Sequence, residues 1–177
     1  VNLRLAVPLI LRLTLGALLI VSGGMKLGFF NPLALALALD YLRMDPIDFA
    51  FAIKAFKMGL GDGLVSFAAY TVAWGELLTG LLLLIGLWTR GAVLATIVLM
   101  GAFAVGIVSL MHRGIDVKCP CFGKLQLFCG DVPLGLCHIL RNACFAAAAG
   151  VVLWLGPGMG SIDGWLARRR SPVPTPV

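Results

Sequence analysis

The segment Cys119-Pro120-Cys121-Phe122-Gly123 sets two thiols one residue apart in a chain that is otherwise 60% hydrophobic. Thiols this close either close a strained disulfide or chelate a soft metal. Disulfide Cα atoms lie roughly 4.4–6.8 Å apart, a distance an i,i+2 pair reaches only where the chain bends. Pro120 fixes φ between the two, and Gly123 frees the backbone just beyond. A disulfide strained in this way is of the more oxidising, labile kind. Lys118 and Lys124 flank the loop and favour the thiolate, the reactive form. The spacing leaves three readings open: redox activity, soft-metal binding, or a structural bond between otherwise inert thiols. Cys129, in the same connection, is a candidate third member. It can resolve a mixed disulfide with Cys119 or Cys121, serve as a third soft ligand, or clamp the loop.

Cys137 and Cys144 are seven residues apart, so they share one face of a helix. Buried cysteine behaves as a small hydrophobe, and packing is the expected role of both, with Cys137 near enough to the loop to remain a candidate relay. The chain has no CxxCH haem-attachment motif, and its cysteine spacing matches no common zinc-finger pattern. A second set of residues consists of ionisable groups inside apolar runs: Lys26, Glu76, Arg141 and His138. Such groups are costly in lipid and usually pair or serve function. Glu76 falls about 18 Å into its run and Arg141 about 10 Å into its own at ~1.5 Å per residue. A Glu76–Arg141 pair with Lys26 nearby is expected beneath the cysteine loop. It acts either as a salt bridge that fixes helix register or as a proton path or quinone headgroup site serving thiol oxidation. His138 is a possible member, although one histidine near a helix end is more often a satisfied polar residue.

The elements that must position these groups are helices in lipid. Only 12% of the 177 residues are charged, against about a quarter in soluble domains, and the mean hydropathy is +1.02. The net charge of +6 does not point to nucleic acid, because the basic residues stand singly at the ends of apolar runs. The exception is Arg168-Arg169-Arg170, which suits an anchor facing anionic headgroups. Four runs reach the ~20 residues needed to cross a hydrocarbon core: Leu5–Phe30, Leu64–Leu87, Ala92–Met111 and Leu134–Leu155. They are continuous rather than alternating, so helices are expected. The first run begins like a signal sequence but lacks an A-x-A site after it, and reads as a retained helix. The turn Trp88-Thr89-Arg90-Gly91 makes spans two and three antiparallel neighbours. Asp45, Pro46 and Gly59 bound an expected interfacial helix with a Phe49/Ile53/Phe56 stripe. The cysteine loop runs His112–Pro133. Residues 1–170 form one all-α, integral membrane four-helix bundle, followed by an extended, disordered Pro-rich tail at 171–177. Arg4 and the arginine triplet favour a cytoplasmic terminal face, which puts the loop outside, where disulfides persist.

The pattern resembles the MauE/DoxX family of small four-helix membrane proteins. The residues that carry the resemblance are Gly16–Lys26 in span one, Glu76 with Gly80–Gly86 and Arg90, the Cys119-x-Cys-Phe-Gly123 loop, and Arg141-Asn142. Cys129, Cys137 and Cys144 lie outside that pattern. The resemblance implies a protein of the bacterial inner (cytoplasmic) membrane that works with a periplasmic thioredoxin-like partner or a larger membrane redox complex. The MauE branch is associated with maturing a disulfide-rich amine dehydrogenase, and a DoxD branch resembles a subunit of a thiosulfate:quinone oxidoreductase. Membrane thiol oxidases of similar architecture use CxxC pairs, which this chain lacks. The sequence therefore leads to a thiol/disulfide oxidoreductase as the first reading. The alternatives are an accessory subunit with a stapled loop and a soft-metal protein using Cys119, Cys121 and Cys129.

Overall fold

In a computed structural model, residues 3–37, 39, 49–50, 53–54, 61–115, 129, 134–158 and 160–170 are described. Among them the regular structure is entirely helical. Helix α1 (Leu3–Lys26) is followed by a turn through Gly28 (φ +72°) and the short α2 (Asn31–Ala36). Next come α3 (Asp62–Ile85), α4 (Thr89–His112) and α5 (Leu136–Leu155), then a terminal α6 (Ile162–Arg170). Four of these are long and apolar enough to cross a membrane: Ala6–Lys26 of α1, and all of α3, α4 and α5. The protein is thus an all-α, multi-pass membrane bundle. The expected first span extended to Phe30; the helix stops at Lys26 because Gly28 takes the left-handed conformation that ends it.

The four spans form a ring in chain order. α1 packs most closely on α3 and α4 on α5, while α3–α4 and α1–α5 contacts close the circle. Lipid is as apolar as leucine, so helices here associate through close packing of small residues rather than by hydrophobic exclusion. Gly16 and Gly80 make the closest approach: a Cβ on Gly80 would lie 2.7 Å from the Gly16 carbonyl oxygen. One heptad further along α1, a Cβ on Gly23 would lie 2.7 Å from the Ala73 carbonyl. The two glycines of α1 share a face, so α1 and α3 touch backbone to backbone over two turns. A core of Leu15, Leu19, Leu83, Val93, Ala149 and Val152 fills the ring towards the terminal face.

The terminal face is closed by α6. Helix α3 ends at Gly86 (φ +71°), and α4 begins after Trp88, whose φ of +49° is unusual for a bulky residue. Neither flank supplies a side-chain cap to α4. Asp163 of α6 does so instead: the Trp88 N–H donates to Oδ1 (2.9 Å) and the Thr89 N–H to Oδ2 (2.7 Å). The Asp163 N–H in turn donates to the Gly86 carbonyl (3.0 Å). Arg12 is 1% exposed; its Nη1 donates to the Pro157 carbonyl (2.8 Å) and its guanidinium lies against Gly86. Partial burial pushes the Asp163 carboxyl up, but the two backbone N–H groups and the Arg12 charge outweigh it and hold the group below its ordinary value. Trp88, Trp154 and Trp165 are exposed on this face, as in an interfacial aromatic belt. The Arg169 guanidinium stacks 3.8 Å from the Trp165 ring centroid.

Candidate functional site

The buried charges meet at the opposite half of the bundle. Lys26 and Glu76 are each 1% exposed. The Lys26 Nζ donates to Glu76 Oε1 at 2.5 Å and Oε2 at 2.7 Å, and the Ser22 hydroxyl donates to Oε2 at 2.8 Å. Ser22 and Lys26 stand four residues apart on α1 and so share a face. The ammonium also lies 4.7 Å from the Phe49 ring centroid and 4.9 Å from that of Phe103, within cation–π range. Helical side chains lean toward the N-terminus of their own helix. Lys26 at the end of α1 therefore leans into the bilayer, while Glu76 on the antiparallel α3 leans out to meet it. This inward lean is the reverse of the snorkelling usual for a lysine at a span end.

Glu76 thus pairs with Lys26, which the sequence had placed only near an expected Glu76–Arg141 pair. Depth counted along one helix does not reveal which neighbour lies closest, and the glycine contact between α1 and α3 decides the matter. Arg141 faces the same space from α5. With Asn142 and Phe145 of α5, Thr96, Met100 and Phe103 of α4, and Leu15, Leu18, Leu19, Ser22 and Lys26 of α1, it lines a narrow, mainly apolar cavity against Glu76. The room suits about one or two waters, not a quinone ring. The Asn142 Nδ2 is buried without a hydrogen-bond partner, as is Nδ1 of the buried His138. Sequence reasoning gave Ser22 and Phe103 no role, placed Phe49 on an interfacial stripe, and named Asn142 only beside Arg141. Ser22 was findable from its four-residue offset to Lys26; nothing in the sequence placed Phe103 there.

Of the expected interfacial helix, Phe49, Ala50, Ile53 and Lys54 are described and helical. Its apolar stripe turns inward rather than to the headgroups: Phe49 is buried with Ala69, and Ala50 and Ile53 pack around them. Lys54 pairs with Asp62 (2.6 Å) in an exposed contact. Phe56 lies outside the described residues, as does the tail.

The cysteines divide differently from expectation. Cys129 and Cys137 form a disulfide with Cα atoms 5.9 Å apart. Cys137 is therefore not the packing residue expected from its spacing to Cys144. It lies at the start of α5 with its side chain exposed, where a loop cysteine can reach it. Cys144 is a free thiol and is also exposed, facing away from the bundle rather than packing within it. Cys119 and Cys121, with Lys118 and Lys124, lie outside the described residues. Among the described residues no three His, Cys, Asp or Glu side chains gather as a metal site. The Cys129 sulfur is engaged by Cys137, so Cys129 becomes a third soft ligand only after that bond is reduced.

A family model described as methylamine utilisation protein MauE matches residues 4–155. The chain belongs to the MauE family. No curated protein and no solved structure matches it significantly. The MauE match includes the Lys26–Glu76 pair, Arg141 and all five cysteines, and stops at the last residue of α5. The terminal clamp of α6 lies beyond it.

Proposed function

We propose that this MauE-family protein is a membrane thiol/disulfide redox protein. In this reading Cys119 and Cys121 exchange disulfides with a thioredoxin-like partner outside a bacterial inner membrane, in support of the maturation or electron transfer of a redox enzyme. The termini are cytoplasmic. The observation that carries the reading is the Cys129–Cys137 bond. It fastens the cysteine-bearing connection to the first turn of α5, one turn before Arg141 on the wall of the cavity that holds the buried charges. Cys119 and Cys121 stand ten and eight residues before Cys129 in the same connection. The narrowness of the cavity favours proton movement over a quinone headgroup within the ring.

A second reading, an accessory subunit with a stapled loop, draws on the Lys26–Glu76–Ser22 contacts. That pair is satisfied within the bundle, as a pair serving only helix register would be. Thiol trapping on membranes separates the two. Cys119→Ser should accumulate a reductant-sensitive mixed disulfide through Cys121. If Cys119 and Cys121 stay reduced and unreactive, or if either serine variant leaves partner maturation intact, the exchange reading is lost and the accessory reading stands.

A further inference from the structure

The Cys129–Cys137 bond joins the connection to the first turn of α5. Cys137 is exposed and Cys129 half-buried, so the sulfurs are open to attack. Cys137 is the second residue of α5. Its N-cap, Gly135, has no side chain to bond the first-turn N–H groups, and that turn carries no acidic residue. A helix leaves its first N–H groups without intrahelical acceptors and presents the positive end of its dipole there, a setting that favours thiolate over thiol. Arg141, one turn further along the same face, adds a second positive charge. Independently, the adjacent His138 is buried and its Nδ1 has no hydrogen-bond partner.

We infer that Cys129 and Cys137 form a second, exchangeable redox couple in which Cys137 is the leaving thiol. This rests on the protein being a thiol/disulfide exchanger. The reductant is a dithiol of the partner class. One of its thiolates attacks the Cys129 sulfur, the Cys129–Cys137 bond breaks, and Cys137 departs as a thiolate stabilised at the helix start. The second thiol of the dithiol then attacks the mixed disulfide and releases Cys129. Two electrons pass from the dithiol, which becomes a disulfide. The two protons it gives up end on Cys129 and Cys137. The lower the basicity of the leaving thiol, the faster such a step runs, and an exposed thiol at a helix N-terminus meets that condition.

The test uses the full chain in membranes with Cys119→Ser and Cys121→Ser in place, so that the outcome does not depend on the first pair. Membranes are equilibrated in glutathione buffers of increasing reduced fraction, quenched in acid, alkylated and read by mass spectrometry. The expected result is that Cys129 and Cys137 become alkylated together under native conditions, within the glutathione range that leaves structural disulfides intact. A bond that opens only with strong reductant after denaturation overturns the inference. Adding Cys129→Ser isolates Cys137, which should react with iodoacetamide about tenfold faster than an ordinary thiol, of which only a few per cent is thiolate near pH 7. An ordinary rate overturns its role as the leaving thiol. Failure of Cys119 and Cys121 to exchange in the unaltered chain, with this couple still titrating, would overturn the proposed function alone.

Discussion

Replacing Lys26 by Met tests whether the buried pair holds α1 to α3. Met keeps the length and flexibility of the side chain but removes the charge, so Glu76 loses both hydrogen bonds from Lys26 and keeps the one from Ser22. Hydrogen bonds to charged groups are worth about 1.5–3 kcal/mol each. Breaking a buried pair by deleting one partner costs about 3–5 kcal/mol, and both residues here are nearly inaccessible. A loss of about 3–5 kcal/mol is therefore expected near neutral pH. Lys26→Met with Glu76→Met should recover most of the stability, since apolar replacement of a buried pair is often near neutral. The assay is equilibrium unfolding in mixed micelles, followed by far-UV circular dichroism, for both single variants and the double variant. A Lys26→Met loss under about 1 kcal/mol, or a double variant no better than the single, would refute the assignment of Lys26 as the partner of Glu76.

Three further outcomes follow from the geometry. Gly80→Val should cost about 1–3 kcal/mol through overpacking, because its Cβ would sit 2.7 Å from the Gly16 carbonyl; the same micelle assay measures it, and Val at Gly150, where a Cβ meets open space, should cost little. Asp163→Ala should free the Trp88 and Thr89 amides, raising their hydrogen exchange while the centre of α4 stays protected, at a cost of about 0.5–2 kcal/mol for the lost cap. The pH dependence of that clamp has a definite sign. Asp163 is held below its ordinary value, so its contribution is fully present above the unfolded carboxylate value of about 3.9 and fades only as the pH falls through the lower folded value. Protection of the two amides should therefore be flat from pH 5 to 8, and a change within that window would contradict the clamp.

The four spans were legible because crossing a membrane demands length and continuity, and a sequence displays both. Lys26, Glu76 and Arg141 were legible as unusual for the same reason: charge in lipid is conspicuous. Their pairing was not. It depended on how closely α1 meets α3, and that was encoded in Gly16, Gly23 and Gly80, residues that look generic in a membrane chain unless their shared face is noticed. Cys137 was misread because its seven-residue spacing to Cys144 is a statement about one helix, whereas its actual partner arrives from the loop. Arg12 donates to a backbone carbonyl 145 residues away. No local pattern announces such a contact.

The cap that Asp163 provides has a consequence for the order in which the protein is made. Helix α4 begins 74 residues before the side chain that satisfies its first amides. During synthesis α3, α4 and α5 are all polymerised before that carboxylate exists, so the start of α4 goes without this partner until α6 is made. Helix α6, made after the four described spans, is thus the latch of the bundle. A chain halted after Leu155 would carry every membrane span and still leave the door between α3 and α4 unfastened.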